Sequence, residues 1–192
     1  MVERGTAPPQ IRGTAPLQAR GTALPQVRGI AYLKVDSWLT RRNEMKWTPR
    51  RMKSVMNIYP PYLFAGIRVT EIDPQWRELH VSMKLRWFNQ NAVGTHFGGS
   101  LYSMVDPHLM LLLMQALGSD YVVWDKSAEI EFIKPGKGRV HSIIRITNAD
   151  LEEIRRKTEG GDVYRPRFEL TILDEESDIV ATVTKVLHIR RR

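Results

Sequence analysis

Over residues 78–87 apolar and polar side chains alternate, with Leu79, Val81, Met83, Leu85 and Trp87 interleaved with Glu78, His80, Ser82, Lys84 and Arg86. A period of two predicts a strand with one buried face. Residues 66–73 (GIRVTEID) make its partner, joined through Pro74-Gln75-Trp76. After the polar stretch NQNAVGTHFGG the period changes. Over residues 99–117, Leu101, Met104, Val105, Leu109, Leu112, Leu113 and Ala116 cover most of a helical circumference, so the helix they predict is buried almost all round. Pro107 takes one N–H out of it and is expected to bend it. Alternation returns over residues 122–133, with Trp124, Lys126, Ala128, Ile130 and Phe132 on the face expected to meet the helix. Pro135-Gly136-Lys137-Gly138 predicts a hairpin turn into a strand over 139–147. A short helix follows over 150–158, closed by Gly160-Gly161. Residues 163–173 and 179–189 predict a last hairpin around the acidic turn 174–178.

Two strands, a long buried helix and four more strands make an α+β domain. An antiparallel sheet of about six strands covers a single helix only by curling around it, which is the hotdog arrangement. This domain is expected over residues 58–190. Ahead of it, residues 36–57 read as a basic helix or linker, with Pro49 near its start or at a break and Pro60-Pro61 ending it. Residues 1–35 form an octapeptide repeat, with Arg-Gly at 4, 12, 20 and 28 and Ala at 7, 15, 23 and 31. Its prolines and scarcity of large apolar side chains predict disorder.

Charge looks at first like a nucleic-acid signature, because the formal net charge is +8. Its distribution removes that impression. Residues 1–35 and 36–53 each contribute +4 and residues 190–192 contribute +3, which leaves −3 for residues 54–189. No basic surface fit for nucleic acid is expected on the folded part. Cysteine is absent, which excludes disulfides, a thiolate nucleophile and Cys-based metal sites. The apolar run at 109–117 falls well short of the ~20 residues of a membrane span. Met1–Glu3 leads into polar, Pro-rich sequence, so no secretory signal is expected and the expectation is a soluble, cytoplasmic protein. The five histidines show no HExxH spacing, Ser100 lacks a G-x-S-x-G elbow, and no phosphate-binding or dinucleotide loop occurs.

One spacing does carry chemistry. Asn91, five residues, Phe97-Gly98-Gly99, six residues and Asp106 resembles the pattern of hotdog-fold acyl-CoA thioesterases related to the phenylacetate-degradation enzyme. Those enzymes have Asn, His-Gly-Gly and Asp at the same intervals. The wider run THFGGSLYSMVDP, followed by YVVWDKSAEIEFIKPG, is similar to a branch labelled tetrameric acyl-CoA thioesterases, otherwise a domain of unknown function. The likeness covers roughly residues 45–190. It departs at one place, where Phe97 stands for the family's His and His96 lies one position earlier.

The resemblance implies a thioester hydrolase without metal or organic cofactor, working as a homo-oligomer, dimer or tetramer. In such enzymes the Asp acts across a subunit interface, on a thioester held by the partner's helix N-terminus. Thioester hydrolysis needs donors for a developing oxyanion and a base or nucleophile beside the carbonyl carbon. Gly98 and Gly99 suit the first task, because first-turn N–H groups lack intrahelical acceptors and glycine admits close approach. Asp106 suits the second, as a water-activating base or a nucleophile, since a carboxylate in so apolar a helix is costly unless paired, hydrated or used. Asn91 would position substrate or carboxylate. His96 and Phe97 flank the glycines as candidate substrate contacts. Lys126 is read either as a partner of Asp106 or Asp125 or as a side chain reaching solvent. Lys134, Lys137 and Arg139 cluster where coenzyme A phosphates could meet them. Three rival readings stand beside hydrolysis: a hotdog dehydratase or isomerase using His96 and Asp106, a non-catalytic acyl-thioester-binding module, and a nucleic-acid-binding protein acting through its basic ends.

Overall fold

The structure is a computed structural model, and it describes residues 47–192. The repeat at 1–35 and the first part of the basic segment, to residue 46, lie outside the described residues. Thr48 caps the first helix, α1 (Pro49–Ile58), by accepting from the Arg51 N–H at 3.2 Å, and Pro49 fits the first turn, where its missing N–H costs nothing. Met52 and Met56, one turn apart, bury one face of α1 in the common core. The Asn57 amide fastens the helix to β1 (Ile67–Ile72), bonding both the N–H and the carbonyl of Val69 at 2.9 Å. Pro60-Pro61 ends α1 as expected, but it also opens a second short helix, α2 (Pro60–Ala65). Gly66, at φ 75, stops α2 in the left-handed conformation that glycine adopts without strain.

β1 pairs antiparallel with β2 (Glu78–Lys84), as the alternation predicts. The central helical stretch is split by Pro107 into α3 (Gly98–Val105) and α4 (His108–Leu117), rather than one long helix with a bend. Leu101, Met104, Val105, Leu109, Leu112 and Leu113 are all buried, joined in one core by Val81, Met83, Ile144, Ile172 and Leu187 from the sheet. Each such aliphatic side chain contributes about 1.5–3 kcal/mol by leaving water.

β3 (Tyr121–Phe132), β4 (Arg139–Arg145), α5 (Asn148–Lys157), β5 (Val163–Tyr164), β6 (Arg167–Leu173) and β7 (Ile179–Arg191) complete the described chain. Thr147 and Asp150 form a reciprocal capping box at the start of α5. The strands make one curled seven-stranded sheet in the order β1-β2-β4-β6-β7-β3, with β5 pairing β7, and every pairing is antiparallel. This is the hotdog fold. The expected count of about six strands missed β5, which Pro166 separates from β6.

Two expectations about β3 need correction. The segment 135–138 is not a hairpin turn, because β3 pairs β7 while β4 runs between β2 and β6. It crosses the sheet, and it is pinned on the way by Leu85 N–H to Gly138 O at 2.7 Å and His96 N–H to Gly136 O at 3.0 Å. The second correction concerns phase. Register along β7 runs Asp125↔Leu187, then Ser127↔Val186 and Ala128↔Lys185, so one extra residue, Lys126, forms a β-bulge. Ala128, Ile130 and Phe132 share the face of Lys185, Val183 and Ala181, but ahead of the bulge that face holds Val123 and Asp125. Trp124 lies instead over His188, ring on ring at 3.7 Å, and Lys126 is exposed.

Candidate active site

The site grows from the break between α3 and α4. Asp106 N–H still donates to Tyr102 O at 3.0 Å, and helical bonding resumes only with Leu111 N–H to Pro107 O at 3.0 Å. Among the described residues no backbone N–H reaches the Asp106 carbonyl. That carbonyl instead accepts from the Lys185 ammonium, as does Asp106 Oδ1 at 2.9 Å. Tyr102, one helical turn earlier, donates its hydroxyl to the same Oδ1 at 2.6 Å. Oδ2 has no hydrogen-bond partner among the described residues, and the Asp106 side chain is 42% exposed. The carboxylate therefore stands at the boundary of the core, with one oxygen anchored inward and the other facing out.

Lys185 reaches it from β7, where Ala181, Val183, Lys185, Leu187 and Ile189 are all buried and point to the helices. The lysine has 0% exposure. A buried ammonium persists only when paired. Its second partner is Asp125, whose Oδ1 lies 2.9 Å from Nζ. The bulge at Lys126 is what puts Asp125 on this face. Burial pushes the Asp125 carboxyl above its usual value, against the pull of Lys185 and with a further push from Asp106. Burial raises the Tyr102 phenol too, and its bond to Asp106 adds to the shift, so Tyr102 stays a donor. Behind the carboxylate, His108 is fully buried and contacts Tyr62 Oη through Nε2 at 3.4 Å. Burial drives the His108 imidazole down to about 3, and burial likewise lifts the Tyr62 phenol.

Gly98 and Gly99 open α3. Among the described residues their N–H groups have no acceptor, because the first bonds of the helix are those of Ser100 and Leu101 to Phe97 O at 2.9 and 3.1 Å. A Cβ on Gly98 would stand 2.8 Å from the Phe132 ring, and one on Gly99 would stand 2.5 Å from the ring of Phe97. Eight residues of helical rise, about 12 Å, separate these amides from Asp106. Within one chain they do not meet at a single carbonyl group.

The remaining expected site residues are distributed more widely. Asn91 organises its own loop: Oδ1 accepts from the N–H groups of Val93 and Thr95 at 3.1 Å, and Nδ2 donates to Thr95 Oγ1 at 2.9 Å. Asn89, which the sequence reading left in the loop, is the buried amide that ties this loop to Ala65 O and Lys84 O at 2.9 and 3.0 Å. His96 is buried, holds Gly138 O at 3.2 Å through Nε2, and is kept below its usual value by burial. Phe97, the N-cap of α3, is 56% exposed. Lys126 is not the lysine on Asp106. That partner is Lys185, which the sequence reading missed. The available signal was a cation in phase with Ala181, Val183, Leu187 and Ile189 on a strand otherwise apolar on that face.

Lys134 and Lys137 line a cleft of about 320 Å3 at the crossover together with Asp174, Glu175 and Glu176, and Arg139 follows at the start of β4. The Lys134 ammonium is already engaged by Asp174 at 2.5 Å and Asp178 at 2.6 Å. Lys137 and Arg139 are exposed. Among the described residues no group of three or more His, Asp or Glu side chains converges as a metal site, and no helix is long and apolar enough to cross a membrane.

Comparison with known proteins places this geometry in context. Residues 48–189 match the family model described as a domain of unknown function, DUF4442. No curated protein matches the chain. Among solved structures, a Pseudomonas aeruginosa protein of unknown function described as a probable thioesterase superimposes with a TM-score of 0.65 at 16% identity, covering 75% of this chain and 97% of that one. A Haemophilus influenzae thioesterase gives a TM-score of 0.56 at 12% identity, over 77% and 93% of the two chains. The PaaI protein from the E. coli phenylacetic acid degradation operon gives 0.53 at 14% identity, over 74% and 91%. At these identities the likeness is one of fold.

Proposed function

The chain belongs to the DUF4442 family, and on that premise we propose that it is a thioester hydrolase acting on acyl-CoA or a related thioester. One observation carries the reading above the others: a carboxylate set in the greasiest part of the molecule, braced by Tyr102 and Lys185, yet left with an outward oxygen. Such a group is costly as structure and useful as a base. Hydrolysed thioesters are also what several neighbours of the same fold are named for.

The chemistry follows from the two halves of the site. The thioester carbonyl oxygen rests on the unpartnered amides of Gly98 and Gly99, at the positive end of α3. Asp106 Oδ2 takes a proton from water while that water's oxygen bonds to the carbonyl carbon. The tetrahedral intermediate then expels the thiolate as its C–S bond breaks, and Asp106 returns the proton to sulfur. Free acid and thiol leave, and the carboxylate is restored. Because one chain keeps the two halves about 12 Å apart, the working site joins Asp106 of one copy to the glycines of another. The outer edge of β3 is unpaired among the described residues, and Phe132 and Trp124 are 54% and 44% exposed along it, which suits a second copy there. Lys137 and Arg139 are the cations free to meet the nucleotide phosphates.

The test is an acyl-CoA panel assayed for free thiol with wild type, Asp106→Asn and Asp106→Ala. Wild-type turnover with a loss of about 10²-fold or more in both variants is expected. Equal turnover in all three removes the assignment. Loss of an enoyl-thioester chromophore without thiol release would select the dehydratase or isomerase reading. Acyl-CoA binding that survives Asp106→Asn, with no turnover in any form, would select a binding module.

A further inference from the structure

Lys185 is a fully buried charge to which the proposed hydrolysis gives no step. An ammonium has three donors in tetrahedral array. It has three partners in one place: it donates to Asp106 Oδ1 and to the Asp106 carbonyl, and it forms an ion pair with Asp125 Oδ1 at 2.9 Å. Two of the three belong to a single residue, so the lysine fixes both the backbone and the side chain of Asp106. The helix break is what makes the carbonyl contact available, since a continuous helix would have spent that carbonyl on the N–H of Met110. The β3 bulge makes the third available. Tyr102 shares Oδ1 with the lysine, and the two donors together decide which carboxylate oxygen points away.

We infer that Lys185 is a positioning residue for the reaction: it holds Asp106 by Oδ1 so that Oδ2 is the reacting oxygen, and Asp125 is the fixed counter-carboxylate that aims the ammonium. The inference rests on the hydrolase reading for its catalytic part, whereas its electrostatic part stands on geometry alone. The titratable and charged groups around Asp106 are Tyr102 on α3, His108 on α4, Tyr62 on α2, Asp125 on β3 and Lys185 on β7. His108 is neutral through the working range and both tyrosines stay protonated. Lys185 is then the one cation in that set, and removing it leaves two carboxylates facing each other.

The experiment uses the full chain labelled with 13C at aspartate Cγ, assayed for thiol release from an acyl-CoA panel. In Lys185→Met kcat at pH 7 is expected to fall about tenfold or more while KM stays within about threefold, and the Asp106 13Cγ resonance at the same pH is expected to move. Lys185→Arg keeps the charge and is expected to restore kcat to within about threefold of wild type. Turnover by wild type with kcat unchanged in the methionine variant overturns the inference and leaves the hydrolase reading standing. No turnover by wild type overturns the hydrolase reading, and the Asp106 resonance still decides the electrostatic part, an unmoved resonance overturning it. If the methionine variant does not fold, the Lys185 15Nζ resonance decides instead: it must differ between wild type and Asp106→Asn, and identical resonances overturn the inference.

Discussion

Asp125 stands opposite Leu187 on the helix-facing side of the sheet, a place that unbroken alternation from Ala128 would give to Lys126. One looped-out residue therefore exchanges a lysine for an aspartate beside the Lys185 ammonium. Deleting Lys126 removes the looped-out residue and leaves Asp125↔Leu187 and Ser127↔Val186 as consecutive pairs, so Val123 and Asp125 keep the helix-facing side. The deletion is expected to leave the urea midpoint and thioester hydrolysis near wild type. A midpoint and a rate that fall together would show that the bulge itself, and not only the phase it sets, is needed.

The glycines at the start of α3 allow packing and chemistry to be separated. The added methyl of Gly98→Ala meets a Phe132 ring that is 54% exposed and free to swing. Alanine also recovers up to about 1 kcal/mol of helix propensity. Stability is expected to stay within about 1 kcal/mol of wild type, while a methyl over the amides shifts the thioester and lowers kcat on the order of a hundredfold. Thermal unfolding and hydrolysis measured on the same sample check the split. Full activity would leave the glycines with a packing role alone.

His108 ties stability to acidity. Its folded value of about 3 lies below the ordinary 6.5, so between those limits the unfolded chain binds a proton that the folded chain refuses. Stability is therefore complete above about pH 6.5 and falls by about 1.4 kcal/mol per unit as pH drops through that window. His96, also held down by burial, acts in the same direction. Urea unfolding between pH 4 and 7 should show the slope, and His108→Gln, which can still meet Tyr62, should flatten most of it. An unchanged slope would assign the acid sensitivity elsewhere.

Cations near the crossover should not be equivalent toward a nucleotide. Lys134 is held by two carboxylates, whereas Lys137 and Arg139 are exposed. Charge reversal at Lys137 or Arg139 is expected to raise KM for an acyl-CoA several-fold and to leave KM for the matching acyl-pantetheine unchanged, since only the former carries the nucleotide phosphates. Lys134→Met should do little to either. An equal effect of all three variants on both substrates would remove the phosphate contact.

Much of this molecule is legible in its residue pattern, because a half-buried strand and a buried helix leave different periods. β2, the β1–β2 pair and the β6–β7 hairpin can all be read that way, while Pro107 announces a bend where the chain has a full break. The bulge cannot, since alternation counts residues and one looped out reverses every side chain on one side of it. The same blindness puts Lys126 on the helix-facing side and Asp125 off it, whereas Lys126 is exposed and Asp125 lies beside Lys185. Lys185 was readable in principle, as a charge in phase with four apolar neighbours. Its partner was not, because residues 106 and 185 are brought together only when the sheet curls around the helices. The 135–138 segment has the composition of a hairpin turn, yet composition does not say which strand comes next in space.

The pairing of β3 with β7 also governs the order in which this fold can be completed. Phe132 waits for Ala181 and Tyr121 waits for Arg191, and the same late strand also receives β5 and β6. No early fragment can therefore assemble the sheet on its own, and loop closure across the intervening chain sets the pace of maturation. Until β7 arrives, α3 and α4 have nothing to cover a large part of their apolar surface. The nascent protein thus passes through its most aggregation-prone interval immediately before it becomes whole.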